Sequence, residues 1–169
     1  MNWVDILVII ILILAFFGGL KEGAVRQFFI LLATVIAIPI AGISYRIIAS
    51  ILSFLPGTNW ENFIGFFITL AIFILVLQLA FLIPQKIIRA LWKKGVLFSL
   101  LGGIFGLLNA VIGFVVLALL FNAFPVISWI AENVTNSAIL PGLVNSFGFI
   151  QSMLPALFRQ AAPVVFNPD

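Results

Sequence analysis

The chain has 169 residues, of which 64% are hydrophobic and 8% charged, and its mean hydropathy is +1.36. A soluble domain is about 45–50% apolar and about a quarter charged, so this composition excludes an ordinary water-soluble globule. The net charge of +3 is the balance of eight basic residues against five acids, and the basic residues sit at the edges of long apolar runs. They form no continuous basic face, which argues against a nucleic-acid partner. Without cysteine or histidine the chain has no thiolate site and lacks the commonest neutral-pH base and metal ligand. Its five acids, Asp5, Glu22, Glu61, Glu132 and Asp169, are scattered and show no ligand or paired-carboxylate spacing. No cofactor, metal site or catalytic set is therefore expected.

The first apolar run extends from Ile6 to Leu20 and, with Trp3 and Val4, reaches about the 17 residues needed to span a bilayer. The residues before it carry an acid and no basic side chain, and it ends in Gly18-Gly19-Leu20 rather than an A-x-A-like cleavage site. It is thus read as a retained helix, about residues 4–20, and not as a signal peptide. A polar break from Lys21 to Gln27 leads into a second helix, about 27–45, closed by Ser44, Tyr45 and Arg46. A turn-prone stretch from Pro56 to Asn62 precedes a third, about 63–83, which ends at Pro84. Lys86, Arg89, Lys93 and Lys94 then form the densest basic cluster, followed by the fourth and longest run, 96–124.

The expected fold is all-α: a polytopic membrane domain of four transmembrane helices over residues 1–124, embedded in the lipid bilayer, and an extracytoplasmic tail over 125–169. Basic residues in short loops favour the cytoplasm, and this rule places Lys86 to Lys94, Lys21 and Arg26 inside. Arg46, the N-terminus and the C-terminus are then outside. In the tail, Leu140, Leu143, Val144, Phe147, Ile150, Leu154, Leu157 and Phe158 recur at helical spacing, which predicts an amphipathic helix with a kink or restart at Pro155.

On a helical wheel Gly95, Ser99, Gly102, Gly106, Asn109, Ala110 and Gly113 fall on one arc of the fourth helix, opposite a bulky flank that includes Leu107. Small residues let helix backbones approach closely in lipid. The stripe is read either as a packing face, with closest contacts through Gly102, Gly106 and Gly113, or as a conduit or oligomer seam in which Asn109 needs a partner or water. Ala33, Ala37 and Ala41 form a second small stripe on the side of the second helix that also carries Arg26, which turns Arg26 toward the bundle. Glu22 precedes Arg26 by four residues, the favourable order for a helical ion pair. Asp5, at the outer end of the first helix, is either a proton or substrate site or an interfacial carboxylate, and Arg46 is its expected partner.

Asp5 followed by an apolar run and then Gly19-Leu20-Lys21-Glu22-Gly23-Ala24-Val25-Arg26-Gln27 resembles the opening of the CvpA, or colicin V production protein, family. Leu101-Gly102-Gly103-Ile104-Phe105-Gly106 is similar to that family's second signature. The chain departs from the pattern at Ser99, Asn109 and Ala110, so the likeness implies no charged site in the fourth helix. It makes Asp5, Gly19, Gly23 and Arg26 the motif candidates, and Arg46, the expected partner of Asp5 by topology, is added as a charge candidate. It implies a non-enzymatic, multi-pass protein of the bacterial inner membrane that supports colicin V or other toxin production or export and envelope homeostasis. Such a protein would assemble with itself or with another membrane protein through its small-residue faces. A small oligomeric channel or transporter, lined by Asn109, Ser99 and Gln78, is the alternative.

Overall fold

A computed structural model describes residues 2–55, 57–91 and 95–153. Its regular secondary structure over these residues is all helix: α1 (Trp3–Glu22), α2 (Ala24–Ile51), α3 (Thr58–Ala80), α4 (Leu82–Leu91), α5 (Val96–Ala123), α6 (Ser128–Thr135), α7 (Leu140–Ser146) and α8 (Gly148–Met153). Four of them, α1, α2, α3 and α5, are long and apolar enough to cross a membrane.

The spans lie in a row rather than a square. α1 packs along α5, α5 along α2, and α2 along α3. Burial follows this order: within their most apolar stretches α5 and α2 are 50% and 44% buried, but α1 and α3 only 22% and 17%. The outer helices therefore expose whole apolar faces, Ile6, Ile10, Ile13, Leu14 and Phe17 on α1 and Ile72, Leu75, Val76 and Leu79 on α3. In lipid such faces carry no penalty, because acyl chains are about as apolar as leucine.

α1 and α2 run beyond their expected limits at both ends and α3 starts earlier than expected, because these ends are set by local backbone chemistry rather than by polarity. α3 stops at Ala80 and α5 at Ala123, short of the expected 83 and 124. α1 and α2 are separated by Gly23 alone, whose φ of +84° lets the chain turn where an L side chain would be strained. Gly57, at +93°, starts α3 in the same way. The third apolar run divides at Phe81, and α4 then continues through Pro84. Proline is tolerated there because it falls in the first turn of α4, where a backbone N–H has no intrahelical acceptor. Inside the spans, Thr34 and Thr69 donate to the carbonyls of Ile30 and Gly65 at 2.9 and 2.6 Å, which satisfies their hydroxyls without leaving their own helices.

After α5 the chain folds back as three short helices over its end, burying Val134, Leu140, Val144 and Ile150 in the same core as Val115 and Leu119. One amphipathic helix from Leu140 was expected. Instead α7 closes at Phe147, whose N–H returns to the Leu143 carbonyl, and α8 begins at Gly148. Leu154, Pro155, Leu157 and Phe158 of the expected helix lie outside the described residues, as do Lys93 and Lys94.

Candidate functional site

At the start of α1, Asn2 and Asp5 form a reciprocal cap. The Asn2 side chain accepts the Asp5 N–H at 3.2 Å, and Asp5 Oδ2 accepts the Asn2 N–H at 2.7 Å. This satisfies two donors that a helix N-terminus leaves orphaned, and the carboxylate also suits the positive end of the helix dipole. The same two side chains reach the α6–α7 segment. Asn2 Nδ2 donates to the Asn133 carbonyl at 2.6 Å. Asp5 Oδ1 accepts the Ser137 hydroxyl at 2.5 Å and the Ile139 N–H at 3.2 Å. Ser137 Oγ in turn accepts the N–H groups of Ile139 and Leu140 at 3.2 and 3.0 Å. Trp3 stacks on Trp129 with ring centroids 5.3 Å apart, completing a clamp between the first turn of α1 and the chain beyond α5.

Asp5 is completely buried within this clamp. A buried charge costs several kcal/mol unless it is hydrogen-bonded, and its three donors meet that need with neutral groups. The expected Asp5–Arg46 pair is therefore replaced. Arg46 is exposed and its guanidinium interacts with the Tyr45 hydroxyl. Charge complementarity suggested a cation, but the α6–α7 segment reaches Asp5 with hydroxyl and amide donors instead.

At the opposite end, α1 and α5 meet backbone to backbone. A Cβ added at Gly19 or Gly102 would collide with the other residue's carbonyl, and one at Gly106 would lie 2.6 Å from the Ala15 carbonyl oxygen. Gly103 lies beneath Phe16 and Leu20. Gly102 and Gly106 thus face α1 within the same chain. Gly95 and Gly113 do not belong to this seam, because a Cβ at either would meet open space. The expected close contact through Gly113 is absent because the seam lies toward the start of α5. Leu107 is half-buried and shares a groove with α1 residues Leu12 and Phe16, so it is not a purely lipid-facing flank. A second backbone approach, which sequence reading missed, joins α3 to α2: a Cβ at Gly65 would lie 2.9 Å from the Ala49 nitrogen.

Beside the α1–α5 seam lies a crevice of about 210 Å³ lined by Glu22, Gln27, Asn109 and Ala110 among others. Asn109 Oδ1 is buried and has no hydrogen-bond partner among the described residues. The neighbouring Glu22 carboxylate is engaged twice, by Arg26 at 3.1 Å and by Gln27 Nε2 at 2.8 Å. Ala33, Ala37 and Ala41 are buried, but Arg26 is exposed rather than turned into the bundle. An exposed pair of this spacing contributes about 0.3–0.5 kcal/mol. Ser99 lines a separate, larger cavity beside Lys21, Arg26 and Arg89, and Gln78 lines neither. Among the described residues, no three acids gather in a way that could hold a metal ion.

Four apolar spans, a glycine seam between the first and last of them and a polar clamp outside that seam define a multi-pass membrane protein. Its sequence matches the Colicin V production protein family over residues 4–148, from the first turn of α1 to the start of α8. The chain belongs to that family. No curated protein and no solved structure matches it.

Proposed function

We propose that the chain is a non-enzymatic component of the bacterial inner membrane that supports colicin V or related toxin production or export and, more broadly, envelope homeostasis. The observation that carries this reading is the extent of the family match, which from residue 4 onward takes in all four spans, the seam and the Asp5–Ser137 part of the clamp. In this reading residues 1–124 are the membrane domain and residues 125–169 an extracytoplasmic tail. The end carrying Lys21, Arg26, Lys86 and Arg89 faces the cytoplasm, and both termini are outside. Because Gly102 and Gly106 are occupied by α1, a second copy or another membrane protein would dock on the apolar outer faces of α1 and α3. A deletion strain carrying a colicin V producer plasmid and challenged with bile salts and detergents tests this. Reduced toxin output or increased sensitivity is expected, and a strain indistinguishable from its parent in every assay would refute the proposal.

The unpartnered Asn109 Oδ1 in its polar crevice favours one second reading, an oligomeric channel or transporter. Ser99, Asn109 and Gln78 do not share a cavity in one chain, so a pore would need several copies. Solute flux into proteoliposomes of the purified protein would support it, and tight vesicles would exclude it.

A further inference from the structure

At the end of the bundle opposite the clamp, the α1–α2 turn, α4 and the first turn of α5 line a half-open cavity of about 740 Å³. Three cations line it, Lys21 and Arg26 from either side of Gly23 and Arg89 from the last turn of α4. Glu22 is the one acid on its wall, and that carboxylate already accepts from Arg26 and Gln27. Lys21 and Arg89 have no carboxylate partner among the described residues. The wall therefore carries a surplus of two positive charges, three cations against one acid, together with the Ser99 side chain and the apolar surface of Phe98.

The position of this cavity selects its occupant. α4 is strongly amphipathic, with Ile83, Ile87 and Ile88 exposed alongside Lys86 and Arg89, the pattern of a helix lying in the membrane interface. Basic pockets between membrane helices at that level suit phosphate headgroups, because cations and hydroxyl donors meet the phosphate while neighbouring apolar surface takes the acyl chain. We infer that the cavity walled by Lys21, Arg26, Arg89 and Ser99 is a binding site for a phosphate group, carried by an anionic phospholipid of the surrounding leaflet.

Binding of fluorescent phosphatidylglycerol to the purified full-length chain in zwitterionic detergent tests the site. Unlabelled phosphatidylglycerol, phosphatidylcholine and inorganic phosphate serve as competitors. Each cation near a membrane surface contributes about a fivefold factor in binding. Lys21→Gln and Arg89→Gln should each weaken phosphatidylglycerol by about that factor, whereas Lys86→Gln, exposed on α4 but outside the cavity, should leave it unchanged. Arg89→Lys should retain most of the affinity. Displacement by phosphatidylglycerol alone supports a lipid ligand, and displacement by inorganic phosphate as well supports the same site with a soluble phosphate compound as its ligand. Binding to the Lys21→Gln and Arg89→Gln proteins as tight as to wild type would overturn the assignment. Should either neutral variant fail to fold, wild-type binding must still weaken as salt rises, and salt-insensitive binding would overturn it equally.

Discussion

The Asp5 carboxylate and the Ser137 hydroxyl, 132 residues apart in sequence, meet at 2.5 Å inside the fold. This contact ties the first turn of α1 to the segment that follows the last membrane span. α1 is thus held at both ends, by the polar clamp at one and by the Gly19–Gly102 approach at the other.

Removing Asp5 should release the clamp. Asp5→Ala leaves the Ser137 O–H and the Asn2 N–H without their carboxylate acceptor, while the Ile139 N–H keeps only Ser137 Oγ, and should cost about 1.5–3 kcal/mol, the range for hydrogen bonds to a charged group. Asp5→Asn should also destabilise, since an amide turns a donor toward one of the N–H or O–H groups that the carboxylate accepts from. A double-mutant cycle with Ser137→Ala, followed by unfolding in detergent, should give a coupling of about 1 kcal/mol or more. Strictly additive effects would mean that the two side chains act separately.

The seam predicts a positional order among glycines that share one helix face. Gly102→Ala and Gly106→Ala each press a methyl group onto backbone and should cost about 1–3 kcal/mol, and leucine at either position should sharply reduce abundance in the membrane. Gly113→Ala should be neutral or mildly stabilising, because its Cβ has open space and alanine favours the helix by about 1 kcal/mol. Ile104→Ala, at a 41% exposed position, should be tolerated. Thermal unfolding of the four alanine variants in detergent checks the order, and equal melting temperatures would remove the seam from the account.

Orientation can be read by labelling single introduced cysteines in intact cells. Ala138→Cys is exposed on the clamp side and should react with an impermeant thiol reagent. Lys86→Cys, exposed on α4, should react only after the membrane is opened. Ser137 itself is a poor probe because it is buried and its hydroxyl is needed by Asp5. The reverse labelling pattern would invert the proposed topology.

The four spans were legible because apolar runs of membrane length have few alternatives in a chain this poor in charge. Their junctions were less so. Pro84 reads as a terminator in sequence, yet it occupies the first turn of α4, where it costs no hydrogen bond. Gly102 and Gly106 could be assigned to a close-packing face, but a helical wheel does not say how far a partner helix extends, and Gly113 carries the same signal with no neighbour. Asn2 and Asp5 stand at capping-box spacing, a local pattern visible without any structure. Their bonds to Asn133 and Ser137 were not legible, because they depend on how three short helices fold back over α5. Gly65 was hidden for a similar reason, being a lone glycine in an apolar run whose role is set by Ala49 on another helix.

The most direct measurement of the proposed role is colicin V activity in the medium of a producer strain lacking this chain, complemented with wild type, Gly113→Ala or Gly106→Leu. Wild type and Gly113→Ala should restore toxin release, while Gly106→Leu, which forces α1 from α5, should leave it at the level of the deletion. Full toxin release from the uncomplemented deletion strain would contradict the account.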